Sequence, residues 1–433
     1  MRRLVLLPVL GGTMLLGCSP SMLPSDLGEH ELDGTRLSES EVLEHLAVAL
    51  PDGEALTVED LFREAPGYVR APDPSALLAR MRDEHAALPP LATAEPLRVL
   101  SFNVGLLDRW YPFAVLQVPH VDERRVRVPA ELLGDGWDVL LLQEVWDERD
   151  VAVFADEAAR AGYLVHAGSS EHHEEHGLLM LVRESLVDPS GPDDRGEETF
   201  ELQRGVEDFP GPGIDRGFLT WRFRHAPTGV VIDVFDTHTT AFPDLAWVRE
   251  GQVRQLGLRA QEVPDDEVVV LAGDVNAGPY YPLDRFGEVD GVPTEGWWRN
   301  AQAYAFLLHY LGGAGAGTGA WDAHAAAGEA EDVAILDRLP AFGPSFHDEP
   351  LGDATLCDEL AGVFTGSDCN SLYFEQYAAT EYPARLDHVL VRDALQRVRV
   401  QDSAIVYTEP LSGTTFEASD HYGVGVTLLL SGQ

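Results

Sequence analysis

Asn103, Glu144, His238, Asp274 with Asn276, Asp387, and Asp420 with His421 occupy six separate ends or turns of apolar runs, and each is a residue type that catalysis uses. One such residue alone says little, because Asp and Asn are ordinary turn formers. Six in succession are a pattern. The densest stretch is Val268-Val269-Val270-Leu271-Ala272-Gly273-Asp274-Val275-Asn276-Ala277-Gly278. Its β-branched residues suit a buried strand. If the extended backbone continues to Asn276, side chains alternate and Asp274 and Asn276 project to one face. A carboxylate and an amide would then stand together at a strand end. A tight turn is the competing reading, since Gly273, Asp274, Asn276 and Gly278 all favour turns.

The elements that must position these residues are legible around them. Leu97 to Val104 and Asp138 to Val145 both read as buried strands that close on polar residues. Val151 to Gly162 has helical apolar spacing and a glycine stop. Gly177 to Val182, Gly217 to Phe223 and Val230 to His238 read as strands, the last two joined by a Pro227-Thr228-Gly229 turn. Leu245 to Glu262 is a helix leading into the Val268 strand. Regularity returns at Ala384 to Val391 and in a closing strand through Val426 and Leu430. Strands alternating with helices imply a layered architecture. Between Asn276 and about Pro383 the periodicity weakens, and a segment that long is expected to shape function rather than serve as plain linker. Glu171-His172-His173-Glu174-Glu175-His176 would place two imidazoles on one face of a helix, but it directly precedes a strand and reads as a solvated polar loop.

The chain has 30 basic residues against 73 acidic ones, a formal charge of −43. That charge would repel a phosphate backbone and weighs against a nucleic-acid partner. All the basic residues are arginine, so lysine Schiff-base chemistry and a lysine-bearing phosphate loop are excluded. Residues 1–18 read as an export signal: Arg2 and Arg3, an apolar run from Leu4 to Leu16, then Gly17-Cys18. Leu15-Leu16-Gly17-Cys18 resembles a bacterial lipobox, which implies lipidation of Cys18 and a chain that is lipid-anchored to the cell envelope or secreted. No later stretch is apolar and long enough to be a membrane span. Residues 19–96 form an acidic extension with helical patterning, for example Ser38 to Leu46 and Asp73 to Met81, and read either as a tether or as a layer packed on the main domain. Cys357 and Cys369 suit one disulfide in an exported chain, with a metal pair or two free thiols as the alternatives.

Taken in order, Ser101-Phe102-Asn103-Val104, Gln143-Glu144, Thr237-His238, Gly273-Asp274-Val275-Asn276, Arg385-Leu386-Asp387-His388 and Ser419-Asp420-His421 closely resemble the motifs of the endonuclease/exonuclease/phosphatase superfamily. The resemblance runs from about Leu97 to Leu430. It implies an α+β fold, a four-layer α/β/β/α sandwich of two mixed sheets flanked by helices, here a catalytic domain at 97–433 with a long insertion at about 280–383 and a helical N-terminal extension. It also implies metal-dependent phosphoester hydrolysis. Carried over by position, Glu144 and Asn103 would hold Mg²⁺, with Mn²⁺ or Ca²⁺ as substitutes. His421 would be the general base, oriented by Asp387. Asp274 would position the attacking water, Asn276 and His238 would donate to phosphate oxygens, and Asp420 would approach the metal side of the phosphate. His388 departs from the family pattern, which often has Tyr there.

Within that superfamily, Arg216-Gly217-Phe218-Leu219, Asp236-Thr237-His238-Thr239-Thr240-Ala241 and Leu386-Asp387-His388-Val389-Leu390 look most like the secreted neutral sphingomyelinase C branch. This implies a phospholipid substrate at a membrane surface, sphingomyelin cleaved to ceramide and phosphocholine. Trp110-Tyr111 and Trp297-Trp298 would then be candidates for membrane contact, with core or loop packing as the other reading. An extracellular DNase-like endonuclease, an inositol-phosphate phosphatase and a non-catalytic surface-binding lipoprotein are the competing functions.

Overall fold

A computed structural model describes the chain at residues 29–32, 35–38, 74–111, 114–169, 176–202, 215–241, 246–279, 288–289, 292–293, 295–312, 320–327, 365, 369–372 and 385–432. The signal segment with Cys18, the expected helix at Ser38 to Leu46, and Cys357 lie outside the described residues or nearly so. Cys369 is disulfide-bonded. Among the described residues no helix is long and apolar enough to cross a membrane.

Two six-stranded sheets stack face to face. The first uses β1 (Glu95–Asn103), β2 (Val139–Gln143), β3 (Tyr163–His166), β4 (Leu179–Arg183), β11 (Val398–Val406) and β12 (Gly423–Leu430), in the order β11-β12-β1-β2-β4-β3. The second uses β5 (Asp193–Thr199), β6 (Gly217–Arg224), β7 (Val231–His238), β8 (Val268–Asp274), β9 (Ala320–Asp322) and β10 (Asp387–Arg392), in the order β9-β10-β8-β7-β6-β5. Each sheet contains one parallel pair, β1 with β2 and β7 with β8, and is otherwise antiparallel. Both sheets are therefore mixed, as the motif pattern implies.

Alternation decides which residues meet. Leu97, Val99, Val139, Leu141, Val268, Val270, Ala272, Val389 and Val391 fill the space between the sheets. The opposite face of the first sheet, with Leu100, Phe102, Leu140 and Leu142, packs on α2 (Val121–Gly134) and α3 (Glu148–Ala161) through Val128, Leu132, Phe154 and Ala158. Burying each such side chain contributes about 1.5–3 kcal/mol. α3 starts where Asp147 accepts from the Arg149 N–H at 2.8 Å and ends at left-handed Gly162, the stop expected for it. On the second sheet, α4 (Ala246–Gln261) precedes β8, and α5 (Glu295–Gly312) brings the Tyr304 ring to 4.9 Å from His388 on the outer face of β10.

Three expectations change. The stretch after Asn276 is more regular than its pattern suggested: α5, β9 and α6 (Ala323–Ala326) all lie in it, and Tyr304, Phe306, Leu307 and Leu311 are fully buried. A helix covered on several sides lacks the amphipathic contrast that makes a surface helix legible. Likewise the stretch between Val104 and Asp138, where no element is read from the sequence, contains α2, which has Pro129 inside it and charged residues facing inward. Finally, the solvated loop expected at 171–176 ends in a buried His176, 2% exposed, whose Nε2 lies 2.9 Å from Thr199 Oγ1; residues 171–175 are outside the described set. Of the extension, α1 (Pro74–Ala86) packs on the main domain, where His85 Nε2 accepts from the Val400 N–H at 2.9 Å. Trp110 and Tyr111 lie in a short hairpin strand and Trp297-Trp298 in α5, with side chains outside the described set.

Candidate active site

The inward-facing alternation that builds the core also builds the site. Asn103 continues the Leu97, Val99, Ser101 face of β1, His238 the Ile232, Val234, Asp236 face of β7, and Asp274 the Val270, Ala272 face of β8. β1 and β2 are parallel, as are β7 and β8, so these strands all finish at one end of the sandwich. β10 and β12 run the other way and begin there: Asp387 pairs with Asp274, and Val424 pairs with Ser101 just after the Ser419-Asp420-His421 turn. The two sheets meet at this end, where Asn103 Nδ2 donates to Asp274 Oδ2 at 3.0 Å.

Asp274 is the centre. Its Oδ2 also lies 3.2 Å from His238 Nε2 and 3.9 Å from His421 Nε2. Burial opposes its ionisation, but the two imidazoles and hydrogen bonds from His238 and Asn103 outweigh that and hold the carboxyl below the usual carboxylate range. His421 Nδ1 donates to Asp387 Oδ2 at 2.8 Å. Burial works against the imidazolium, yet Asp387 and Asp274 raise its pKa well above the ordinary histidine value. Asp387 is itself pushed up by burial, with the His421 charge acting against the shift. His238 goes the other way: burial first, and then Arg216, push it down to about 4. Arg216 Nη1 donates to His238 Nδ1 at 2.6 Å, so the neutral ring carries its proton on Nε2, facing Asp274.

Asn276 reaches the site by a different route from alternation. The strand stops at Asp274, Asn276 has φ 49°, and its backbone N–H donates to Asp274 Oδ1 at 2.9 Å while its Nδ2 donates to Thr239 O at 3.1 Å. The turn reading and the site reading are both right, because the carboxylate of Asp274 closes the turn that carries Asn276. Glu144 is also left-handed, φ 61°, a conformation that costs a non-glycine residue about 1–3 kcal/mol and concentrates at functional sites. Burial and the nearby Asp420 push its carboxyl up to about 7, Arg216 and His421 opposing and Asp274 adding to the rise. Asp420 Oδ1 accepts from Ser419 Oγ at 3.0 Å. It also sits so close to Gly105, φ 56°, that a Cβ there would lie 2.3 Å from Asp420 Oδ1.

Two groups of side chains are candidates for holding a cation. Glu144 and Asp420 crowd like charge into one side of the site, next to Asp274, and this surplus with the amide of Asn103 is an all-oxygen donor set that fits a hard divalent cation. On the other side, ligand atoms of Asp274, Asp387 and His421 lie within 4.8 Å of one another, close enough to surround an ion. There His421 donates its Nδ1–H to Asp387 and its pKa is raised well above the ordinary histidine value, so proton handling suits that group better than ligation.

Several site residues were not singled out in the sequence. Arg124, fully buried, donates to Val104 O at 2.8 Å, Gly105 O at 2.6 Å and Ala418 O at 3.2 Å, tying the Asn103 turn to the His421 turn. Burial pushes its pKa down to about 10. No sequence signal marks it, since an arginine among Asp122, Glu123 and Arg125 reads as a solvated face. Arg216 had one: closing the Pro227-Thr228-Gly229 hairpin pairs Gly217 with His238 and puts Arg216 next to it. Behind the site, Gln143 Nε2 donates to Asp236 Oδ1 at 2.6 Å across the two sheets, and burial pushes the Asp236 carboxyl well above the usual carboxylate range. His388 points outward from β10, where Nδ1 lies 3.1 Å from Asp322 Oδ2 and Nε2 2.7 Å from Ala277 O. It thereby anchors the loop that follows Asn276.

The chain resembles solved structures at low identity. D. rerio TDP2 complexed with a single-strand DNA product is 19% identical, with a TM-score of 0.48 over 77% of this chain and 99% of that one. An endonuclease/exonuclease/phosphatase from Beutenbergia cavernae is 19% identical, with a TM-score of 0.47 over 78% of this chain and 72% of that one. One from Bacteroides vulgatus is 14% identical, with a TM-score of 0.48 over 78% of this chain and all of that one, 100%. No curated protein matches the sequence. The Endonuclease/Exonuclease/phosphatase family matches residues 100–421, a span that contains every residue of the cluster from Asn103 to His421, and the chain belongs to that family.

Proposed function

We propose that this site hydrolyses a phosphodiester by attack of water, and that the diester is the head-group ester of a phospholipid, with sphingomyelin giving ceramide and phosphocholine. The observation that carries the hydrolytic reading is the line Asp387–His421–Asp274, in which the imidazole from the first sheet stands between two carboxylates of the second, with a hydrogen bond of 2.8 Å to one and a gap of 3.9 Å to the other. His421 Nδ1 is committed to Asp387, so Nε2 is the atom free to receive a proton. The 3.9 Å from Nε2 to Asp274 Oδ2 is beyond a direct hydrogen bond, and one water oxygen fits within hydrogen-bonding reach of both atoms. Asp274 then orients the water and His421 takes its proton. His238, held neutral, commits its Nε2–H to Asp274 Oδ2 and so fixes that carboxylate, which leaves the second N–H of Asn276 as the uncharged donor available to phosphate oxygens as charge develops. Glu144, Asn103 and Asp420 would hold Mg²⁺, or Mn²⁺ or Ca²⁺ in its place, and the bound cation supplies neutralisation of phosphate charge.

The lipid reading is supported by the likeness of the His238 and Asp387 strands to secreted sphingomyelinases and by the formal charge of −43, which disfavours a polyanionic substrate. It goes with export, lipidation at Cys18 or release, a Cys357–Cys369 disulfide, and membrane contact through Trp110, Tyr111, Trp297 and Trp298. The test is a panel of sphingomyelin vesicles, other phospholipids, inositol phosphates and plasmid DNA, each with Mg²⁺ and with EDTA. Release of phosphocholine that EDTA stops is the expected result. Nicking of DNA without head-group release would overturn the lipid reading, and loss of every activity in both conditions would favour a binding role.

A further inference from the structure

The hydrogen-bonded pair at the heart of the site is made by two elements that have no reason of their own to stay in register. Asp387 opens β10 in the second sheet, and His421 sits in the turn before β12 in the first. Asp387 is clamped to β8 by strand pairing, whereas the His421 turn is not part of any strand. A packed interface between sheets tolerates small sliding, and a sliding of 1 Å would lengthen the 2.8 Å contact between Asp387 Oδ2 and His421 Nδ1 beyond hydrogen-bonding reach.

We infer that Thr365, from the long insertion, is the positioning residue that fixes this pair. It touches the backbone of Asp387 and that of Tyr422, the residue after His421, at once. Its Oγ1 accepts from the Leu386 N–H at 2.9 Å and from the Asp387 N–H at 3.3 Å, and its carbonyl oxygen accepts from the Tyr422 N–H at 2.7 Å. The side chain therefore grips the residue that carries the carboxylate, and the main chain grips the residue next to the imidazole. Thr365 is fully buried. The contact acts on the Asp387 carboxyl in the direction that lowers its pKa, against the larger effect of burial. A hydroxyl oxygen that accepts from two N–H groups has both of its lone pairs engaged.

An independent contact from the same insertion acts on the other side of the turn. Asn370, also fully buried, donates from Nδ2 to Ser419 O at 2.8 Å and accepts at Oδ1 from the Leu372 N–H at 3.0 Å. Leu372 is seated in the core between the first sheet and its helices. Ser371 Oγ donates to Glu417. The four residues from Ser419 to Tyr422 are thus held at both ends by side and main chain of the insertion, and Thr365 alone among these contacts reaches the second sheet as well.

This inference rests on the reading of His421 as the base, so its test needs a readout that does not. The full chain is compared with Thr365→Val, which keeps the shape and removes the hydroxyl, and Thr365→Ser, which restores it. The first measurement is the low-field proton signal of His421 Nδ1–H in the NMR spectrum, identified by its absence from Asp387→Asn. It should shift or broaden away in Thr365→Val and persist in Thr365→Ser. The second is hydrolysis of bis(p-nitrophenyl) phosphate with Mg²⁺, where kcat should fall on the order of 10²-fold in Thr365→Val with KM nearly unchanged, and should return to within a few-fold of wild type in Thr365→Ser. Thr365→Ala serves by the same criteria if the valine is not accommodated. A wild-type signal in the valine or alanine variant, or equal losses in the serine and valine variants, would overturn the inference. Correct behaviour of the proton signal without any diester hydrolysis by the wild-type chain would instead remove the proposed chemistry and leave the positioning role standing.

Discussion

His238 and His421 face the same carboxylate oxygen from opposite sheets, both almost wholly buried, and their pKa values shift in opposite directions. Burial alone disfavours the imidazolium at both positions. The partner on the far nitrogen makes the difference. His238 Nδ1 meets the guanidinium of Arg216, which lowers the pKa further, to about 4, while His421 Nδ1 meets the carboxylate of Asp387, which raises it well above the ordinary value. One ring becomes a fixed neutral donor and the other a site for a proton. The contrast assigns the roles more sharply than either histidine's position does, because a residue that cannot charge at neutral pH is a poor base by reprotonation and a good constant donor.

The largest expected effect breaks the comparison by removing one side. His421→Ala should lower kcat by on the order of 10³-fold or more, with folding by circular dichroism and Mg²⁺ binding by calorimetry nearly intact; the same substitution leaving turnover at wild-type level would transfer the base role elsewhere. Next comes Glu144→Gln. It removes one charge from the carboxylate crowd and should raise the Mg²⁺ concentration for half-maximal activity by about 10–100-fold, read from metal titrations at saturating substrate.

The pH profile sharpens the comparison. A base must be neutral to act, and the negative surroundings raise the pKa of His421, so kcat/KM should rise with pH through the pKa of His421 in the folded protein. A divalent cation beside Glu144 and Asp420 offsets the same negative charge. Saturating Mg²⁺ should therefore move that rise to lower pH, and a profile that does not move between low and high Mg²⁺ would separate the cation from the base. Arg216→Met should act on the other ring. The pKa of His238 should climb from about 4 toward the ordinary 6.5, followed by NMR titration, with activity lost by roughly tenfold below neutral pH as the donor becomes charged.

The smallest effect is on stability, and here the two histidines have opposite signs. His238 is harder to protonate in the folded chain, so between pH 6.5 and about 4 the unfolded chain binds more protons and stability falls as pH falls, by at most roughly 3 kcal/mol. His421 has a raised pKa, so its contribution is fully present below the unfolded value and fades as pH rises through the folded one. Urea unfolding of the wild type, His238→Asn and His421→Asn from pH 4 to above 6.5 should show His238→Asn losing the slope below 6.5 and His421→Asn losing the opposite slope above it.

Much of this was legible in the chain alone. Strands ending at Asn103, His238 and Asp274 were visible because β-branched and leucine runs switch abruptly to polar residues, and a run that is apolar throughout must be buried on both faces. Parallel or antiparallel pairing then brought their ends together. What hid were residues whose meaning depends on distant neighbours. α5 hid because it is covered on several sides, Arg124 because a buried arginine has the same letters around it as an exposed one, and Thr365 because nothing local distinguishes it from a loop threonine. Asn276 was placed at the site for the wrong geometric reason, since a left-handed turn closed by Asp274 replaced the expected strand alternation.

The sequence by itself determined the residue types of the site, their order along the chain and the strand ends that carry them, because local patterning controls which face of a strand is buried. Only the tertiary structure decided which way each histidine's pKa shifts, which turn is held by Arg124, and how Thr365 joins the two sheets. Those outcomes depend on distances between residues far apart in the chain, such as the 2.6 Å from Arg216 to His238 and the 2.8 Å from His421 to Asp387, and electrostatic and hydrogen-bond energies change over fractions of an ångström that no linear spacing encodes.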